Sequence, residues 1–350
     1  MSKTIFIDGK SCSFEEGKTV LQIARENNLY IPTLCYHART GPASMCRACV
    51  VEVEGMRGLQ TSCSLMPTDG MKIQTASRRV IDARKAVVNL LLANGNHDCM
   101  SCIVNGDCEL QDAAYHLGIE TPAFLVEEHE ERDDSAAFII RDANKCIQCG
   151  RCIVGCNEQV VNNVLDFGYR GSHTKVICDN DLPMGLSSCV QCGECVQLCP
   201  VGVFIEKKAV GKARRWETQK VRTTCPYCGV GCQLELHVKG DQIVRVTGVE
   251  GAQPNQGHLC VKGRYGYDFI YSKDRLTTPL IREGDTFREA SWDEALDLVA
   301  SKFTQIVRES GPDAVAGLSS ARSINEDSYY MQRLFREALG TNNIDHCARV

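Results

Sequence analysis

The spacing of apolar and polar residues changes period several times along the chain. Thr4-Ile5-Phe6-Ile7 followed by Asp8-Gly9 is a strand running into a two-residue turn, which predicts a hairpin. Thr19-Val20-Leu21-Gln22 carries a capping-box pattern, and an amphipathic stretch follows it through Ala24 to Asn27. Ala48 to Glu54 reads as a strand with Val51 and Val53 on one face. From Ser77, the apolar positions Val80, Ile81, Val87, Val88, Leu91 and Leu92 recur with helical period, and Gly95 supplies a stop. Residues 121–136, with Glu127 to Asp134 at their centre, are acidic and irregular and read as a solvated linker. Ser291 caps a second amphipathic helix, with a stripe through Leu298, Val299, Phe303, Ile306 and Val307. Ala314 to Leu318 then predicts a buried strand, 319–323 a loop, and Asn325 to Leu339 another helix. That alternation is how a larger α/β domain opens.

At 350 residues the chain exceeds one ordinary core, so several small domains are expected. Its hydrophobic share is 43% but its aromatic share only 6%, as in small modules that depend on metal for stability. A net charge of −5 gives no electrostatic case for nucleic acid or an anionic membrane. The first residues run straight into a strand without a signal-peptide core, and no apolar run approaches the roughly 20 residues that span a bilayer. A cytoplasmic location without a membrane span is the expectation.

Cysteine decides the chemistry. Of 22 cysteines, all but Cys12, Cys178 and Cys347 fall, with His97, into five blocks. Disulfide frameworks belong to short secreted chains, whereas clustered Cys-x-x-Cys in a chain of this kind points to metal. Block one is Cys35, Cys46, Cys49 and Cys63, spaced C-x10-C-x2-C-x13-C. Four cysteines suit tetrahedral zinc as well as a 2Fe–2S cluster; the long loop from Cys35 to Cys46, with Gly41 and Pro42, favours a wrapped cluster. Residues 1–78 resemble a β-grasp ferredoxin domain.

Block two is His97, Cys99, Cys102 and Cys108. It resembles the 4Fe–4S module, with one histidine and three cysteine ligands, of the large iron–sulfur subunit of NADH:quinone oxidoreductase and of FeFe hydrogenases. Asp98 alone separates the histidine from the first cysteine, where most relatives have three residues. The shorter spacing is similar to that of diaphorase-type subunits of soluble hydrogenases. Blocks three and four are Cys146, Cys149, Cys152, Cys156 and Cys189, Cys192, Cys195, Cys199, two copies of C-x2-C-x2-C-x3-C. They resemble a bacterial two-cluster ferredoxin, in which the fourth cysteine of each run serves the other cluster. The resemblance implies one 4Fe–4S cluster on Cys146, Cys149, Cys152 and Cys199, and a second on Cys189, Cys192, Cys195 and Cys156. Asn157 stands where a proline usually follows the fourth cysteine, and Cys178 is expected to be structural.

Block five is Cys225, Cys228, Cys232 and Cys260, with Lys262 in Cys-Val-Lys-Gly-Arg. It resembles the N-terminal 4Fe–4S lobe of the molybdenum or tungsten bis-molybdopterin oxidoreductases. By that resemblance Lys262 lies between the cluster and a pterin, while Gly229 and Gly231 let backbone approach the cluster. The segment Gly340 to Val350 resembles the approach to the metal ligand in formate dehydrogenase alpha subunits, where selenocysteine or cysteine follows Arg-Val. A reading frame continuing through a selenocysteine codon at position 351 is therefore expected, and Cys347, out of register, is expected to be structural.

The expected architecture is α+β and multidomain: a 2Fe–2S ferredoxin domain (1–78), a histidine-ligated 4Fe–4S module (79–120), a two-cluster ferredoxin domain (137–208), a molybdopterin oxidoreductase 4Fe–4S domain (218–275) and the start of its catalytic domain (276–350). The resemblance implies one 2Fe–2S and four 4Fe–4S clusters. It also implies a molybdenum or tungsten bis-molybdopterin guanine dinucleotide in the full-length protein. Formate oxidation to carbon dioxide, or its reverse, is the implied activity, with no formate activity expected of these 350 residues alone. Implied partners are a flavin- and NAD-binding diaphorase subunit, a ferredoxin or a hydrogenase subunit. The alternatives are an electron-transfer subunit of a diaphorase, NADH:quinone oxidoreductase or hydrogenase complex, and a zinc-binding scaffold.

Overall fold

A computed structural model describes residues 3–125 and 132–347 of the chain. Strand β1 (Lys3–Ile7) pairs antiparallel with β2 (Lys10–Phe14) across Asp8 and Gly9, both at positive φ as a tight hairpin turn of the right twist demands. Helix α1 (Val20–Glu26) starts at Thr19: its hydroxyl accepts from Gln22 N, and the Gln22 side chain accepts from Thr19 N. Strands β3 (Val50–Val53), β4 (Gln60–Thr61) and β5 (Lys72–Gln74) complete a sheet of order β2-β1-β5-β3-β4, in which β1 and β5 run parallel. Ile5, Ile7, Leu21, Ile23, Val51 and Ile73 form its core.

Helix α2 (Arg78–Ala93) is capped by Ser77, as its sequence predicts. Its buried stripe is Val80, Arg84, Val88 and Leu92, so a charged residue sits in the middle of the apolar face. The Arg84 guanidinium donates to Val50 O at 3.1 and 2.8 Å and to Thr75 O at 3.0 Å, tying the helix to the sheet. Gly95 has φ +115°, and a Cβ there would stand 2.1 Å from Asn144 O, so backbone passes backbone at this turn. Helix α3 (Glu109–His116) follows Cys108 directly.

Strand β6 (Ile139–Arg141) opens the tandem region, followed by α4 (Arg151–Val154), the hairpin β7 (Leu165–Gly168) and β8 (Lys175–Cys178), α5 (Glu194–Leu198), and β9 (Phe204–Glu206). Strands β6 and β9 pair antiparallel and bring the region's two ends together. The acidic linker expected over 121–136 lies in part, at 126–131, outside the described residues. Asp133 departs from that expectation. Its backbone pairs with Arg141, and its carboxylate accepts from Met184 N at 2.8 Å and Ser135 N at 3.0 Å.

The chain divides into two compact units, Met1–Gln219 with Val238–Arg245, and Lys220–His237 with Val246–Val350. Strands β10 (Gln219–Thr224), β11 (Gln233–Lys239) and β12 (Gln242–Gly248) form one sheet, and the short helix α6 (Val261–Tyr265) follows. Strands β13 (Leu280–Glu283) and β14 (Thr286–Glu289) make a hairpin before helix α7 (Trp292–Ser310), which Ser291 caps as predicted. Strand β15 (Gly317–Ser319), helix α8 (Asn325–Arg333) and strand β16 (Ile344–His346) end the described chain, with β15 and β16 parallel. The buried strand expected at 314–318 is shorter than its apolar run. Leu318 is 83% exposed, because the two-stranded β15–β16 sheet has no second layer among the described residues. Ala348 to Val350, on which the expectation of a following metal ligand rests, lie outside the described residues. Among those described, no helix is long and apolar enough to cross a membrane.

Candidate metal-cluster sites

In the first set all four cysteines are buried. Cys35, Cys46 and Cys49 lie on the segments before β3, and Cys63 just after β4. Cys46 N donates to Cys35 Sγ at 3.5 Å. The Cys46 thiol also donates to Cys35, which brings Cys35 down to about 5 against the opposing effect of burial, while Cys46 is pushed up. Cys49 and Cys63 repeat this relation, and Cys63, brought down to about 7 by the Cys49 thiol, also feels the charges of Cys35 and Cys46. The four sulfurs form one set.

His97, Cys99, Cys102 and Cys108 line one small cavity, with Lys145 and Gly202 on its wall. His97 is half-buried, and its Nε2 atom is buried with no hydrogen-bond partner. Its other ring nitrogen is directed at the backbone carbonyls of Leu91 and Asn94. A metal-ligating histidine is held in just this way, one nitrogen oriented by a carbonyl and the other left for the metal. Burial, aided by the charge of Lys145, brings the ring down to about 4, so it is neutral and able to donate a lone pair at neutral pH. Burial pushes the Cys108 thiol up to about 11, a cost that metal coordination offsets by stabilising the thiolate.

Each tandem run lies within electrostatic reach of the last cysteine of the other. Cys146 and Cys149 are both influenced by the charge of Cys199, from the far end of the second run. Cys189 and Cys195 are influenced by Cys156, from the end of the first. The two copies share their local geometry: Gln148 and Gln191 have φ of +52° and +51°, and their N–H groups point at Cys146 Sγ and Cys189 Sγ at 3.4 and 3.3 Å. Burial drives the thiols of Cys149, Cys152 and Cys195 far up, which is unfavourable for bare thiolates.

In the fifth set, Cys225 N donates to Cys232 O at 2.8 Å, and Cys260 caps α6. Cys225 and Cys232 each feel Cys228 and Cys260, so the four thiols share one field. Lys262 Nζ lies 5.9 Å from the centre of the Tyr227 ring, and its charge eases ionisation of Cys225 against burial. Gly231 is left-handed at φ +70°. At Gly229 the space a Cβ would need holds Asn325 Oδ1 at 2.7 Å, and Asn325 Nδ2 donates to Gly229 O. Among the described residues no three His, Cys, Asp or Glu side chains converge on a point as around a single ion. A multi-iron cluster separates its ligands more widely than one ion does.

Of the remaining cysteines, Cys12 and Cys178 are fully buried. Cys347 is exposed, and a hydrogen bond with the Ser320 hydroxyl holds its thiol below the usual value, so burial gives no support to a structural role. Motif reading passed over Tyr227 beneath Lys262. It also passed over two ion pairs between the sets, Arg151 with Glu109 and Arg39 with Glu194. The opposite charges at one position of the repeat, Arg151 and Glu194, were the available signal for the latter.

Comparison with known proteins follows the same order of sites. Residues 3–78 match a 2Fe-2S iron-sulfur cluster binding domain, 84–123 the NADH-ubiquinone oxidoreductase-G iron-sulfur binding region, and 145–203 a 4Fe-4S dicluster domain. Residues 218–272 match the molybdopterin oxidoreductase Fe4S4 domain and 275–350 the molybdopterin oxidoreductase model. The Bacillus subtilis oxidoreductase YjgC, itself named by inference, is 36% identical over 99% of this chain and 39% of its own length. A Staphylococcus aureus protein provisionally named formate dehydrogenase is 33% identical over the same shares. The chain thus spans 39% of the length of these curated relatives. Among solved structures, a chain of an NAD+-reducing NiFe hydrogenase in the H2-reduced state is similar with a TM-score of 0.57 and 31% identity. The likeness covers 61% of this chain and 92% of that one.

Proposed function

The chain belongs to the molybdopterin oxidoreductase family, and we propose on that footing that it is the electron-transferring part of a formate dehydrogenase alpha subunit. The observation that carries this reading is the fifth set: four thiols with Lys262 beside Cys225, following a second set that matches the NADH-ubiquinone oxidoreductase-G iron-sulfur binding region. His97, with one buried nitrogen unpartnered beside three thiols, supports the same chemistry at the second set.

We assign one 2Fe–2S cluster to Cys35, Cys46, Cys49 and Cys63. Four 4Fe–4S clusters go to His97 with Cys99, Cys102 and Cys108, to the two crossed tandem sets, and to Cys225, Cys228, Cys232 and Cys260. The domains run 1–78, 79–120, 137–208, 218–275 and from 276 onward. When bound, the clusters supply one-electron transfer, and a molybdenum or tungsten bis-molybdopterin guanine dinucleotide in the longer protein supplies the formate chemistry. The residues of this chain bind, orient and shield. Burial of the first set and of Cys149, Cys152 and Cys195 keeps water from those sulfurs, the Leu91 and Asn94 carbonyls orient His97, and Lys262 places a positive charge beside Cys225. A flavin- and NAD-binding diaphorase subunit, a ferredoxin or a hydrogenase subunit is the proposed partner. The match to the NADH-ubiquinone oxidoreductase-G region and the likeness to the hydrogenase chain support it. Clustered Cys-x-x-Cys motifs suit a reducing compartment, and the cytoplasm is the proposed location.

The likeness to the hydrogenase chain favours one second reading, an electron-transfer subunit of a diaphorase or hydrogenase complex. Metal and acid-labile sulfide analysis with EPR on anaerobically purified protein tests the cluster reading, and zinc without iron would sink it. Formate-dependent dye reduction by the longer protein separates the two redox readings. Clusters without formate turnover would leave the carrier subunit standing.

A further inference from the structure

The two tandem repeats differ in one charge. The first reads Cys149-Gly150-Arg151-Cys152 and the second Cys192-Gly193-Glu194-Cys195. Gly150 and Gly193 both have φ +76°, so Arg151 and Glu194 leave the first turns of α4 and α5 in the same way with opposite sign. Arg151 is 2% exposed and donates through Nη1 and Nη2 to the two carboxylate oxygens of Glu109, both at 2.6 Å. Glu109 is the residue after Cys108. Glu194, equally buried, pairs with Arg39, from the loop between Cys35 and Cys46. Each pair therefore joins a tandem-repeat motif to a different upstream ligand set.

Buried ion pairs give little net stability over apolar side chains of the same volume, but their signs can specify which surfaces meet. Here the signs exclude the wrong match: Arg39 repels Arg151, and Glu109 repels Glu194. Two further contacts join the His97 set to the tandem domain. Asn94 Nδ2 donates to Cys146 O at 2.8 Å and Glu109 N to Pro200 O at 2.9 Å, seating the His97 set. Met45, from the loop that carries Arg39, has its sulfur 3.1 Å from where a Cβ on Gly150 would stand, so this loop reaches the helices of both repeats.

We propose that Arg151 and Glu194 are positioning residues: Arg151, through Glu109, holds the His97 set, and Glu194, through Arg39, holds the Cys35 set, each at its own fixed separation from the tandem sets. This rests on the iron–sulfur reading above. A transfer across either contact moves one electron, oxidising one cluster and reducing its neighbour, with no proton moved and no bond made or broken. The pairs would thus define two separate connections to the tandem domain.

The test uses the full chain purified anaerobically with its clusters, beside Arg39→Met, Glu109→Gln and the charge swaps Arg39→Glu/Glu194→Arg and Arg151→Glu/Glu109→Arg. EPR of partly reduced protein reads magnetic coupling between neighbouring clusters, and rapid freezing after a one-electron pulse reads their equilibration. Arg39→Met is expected to slow equilibration at the 2Fe–2S site about tenfold and weaken its coupling, with the His97 site unchanged. Glu109→Gln should do the converse, and each swap should restore its own site. Either single variant affecting both sites alike, or neither, at parental iron content, overturns the proposal. Where a single variant fails to load iron, its swap decides. Restored iron with parental coupling supports the proposal, while restored iron without coupling, or no restored iron, overturns it. A parental chain with no iron–sulfur signal would remove the cluster reading itself.

Discussion

Helices α2 and α7 are written by the same rules and end in different surroundings. Each begins at a serine whose hydroxyl accepts from the third residue on, and each carries an apolar stripe of helical period. Helix α2 buries Val80, Arg84, Val88 and Leu92, whereas α7 buries nothing among the described residues. The difference lies in what surrounds them. Around α2 the chain folds back within a few tens of residues: β3 and β5 receive Arg84, and the cysteine loops follow at once. Helix α7 belongs to an α/β segment in which β15 meets only β16, and a two-stranded sheet cannot cover a helix face. Periodicity therefore reports which face is apolar, and topology decides whether that face is used.

The largest effect expected from this contrast comes from metal. If the cysteine modules depend on bound iron for folding, chelating iron under anaerobic conditions should strip protease protection from 84–203 and leave cleavage within α7 unchanged. Protection of 84–203 surviving complete iron loss would break the contrast, because those modules would then hold together by packing alone.

The same substitution on the two helices gives the next largest difference. Val88→Asp places a carboxylate at a position with no solvent exposure and should cost about 4 kcal/mol or more. Leu296→Asp, on a side chain already 58% exposed, should stay within about 0.5 kcal/mol in this chain. Denaturant midpoints measure both. A large loss at Leu296 would mean that α7 is covered in solution. Arg84→Met comes third. It keeps the volume in the α2 stripe but strands the Val50 and Thr75 carbonyls, at an expected cost of about 2 to 3 kcal/mol with an unchanged denaturant slope.

These cases show what was legible beforehand. The Asp8-Gly9 turn, the Thr19 capping box and the Ser77 and Ser291 caps are local patterns, and the chain obeys them. Arg84 was not singled out beforehand, because its partners Val50 and Thr75 lie 34 and 9 residues away. The Arg39–Glu194 pair spans 155 residues, and no short window contains it. Strands β7, β8, β10, β13, β14 and β16 also escaped notice, being short or with few apolar positions to set a period, and β11 was missed although Leu234, Leu236 and Val238 alternate along it. At the fifth set, the motif marked Gly229 as a close approach but could not name the neighbour, Asn325, which lies 96 residues away.

The smallest expected effect separates packing from charge as the origin of the contrast. Helix α2 carries an exposed i,i+4 pair, Arg78 with Asp82 at 2.8 Å, and the chain from α8 carries another, Arg333 with Glu337 at 2.7 Å. Both place the cation N-terminal to the anion, the weaker orientation relative to the helix dipole, and both stand largely in water. Arg78→Ala and Arg333→Ala should each change stability by no more than about 0.5 kcal/mol, and less at high salt. Equal, small and salt-sensitive losses would assign the difference between well-packed and open helices to apolar burial. A loss at Arg78 several times that at Arg333, persisting in salt, would show instead that charge on the exposed face helps hold α2 in place.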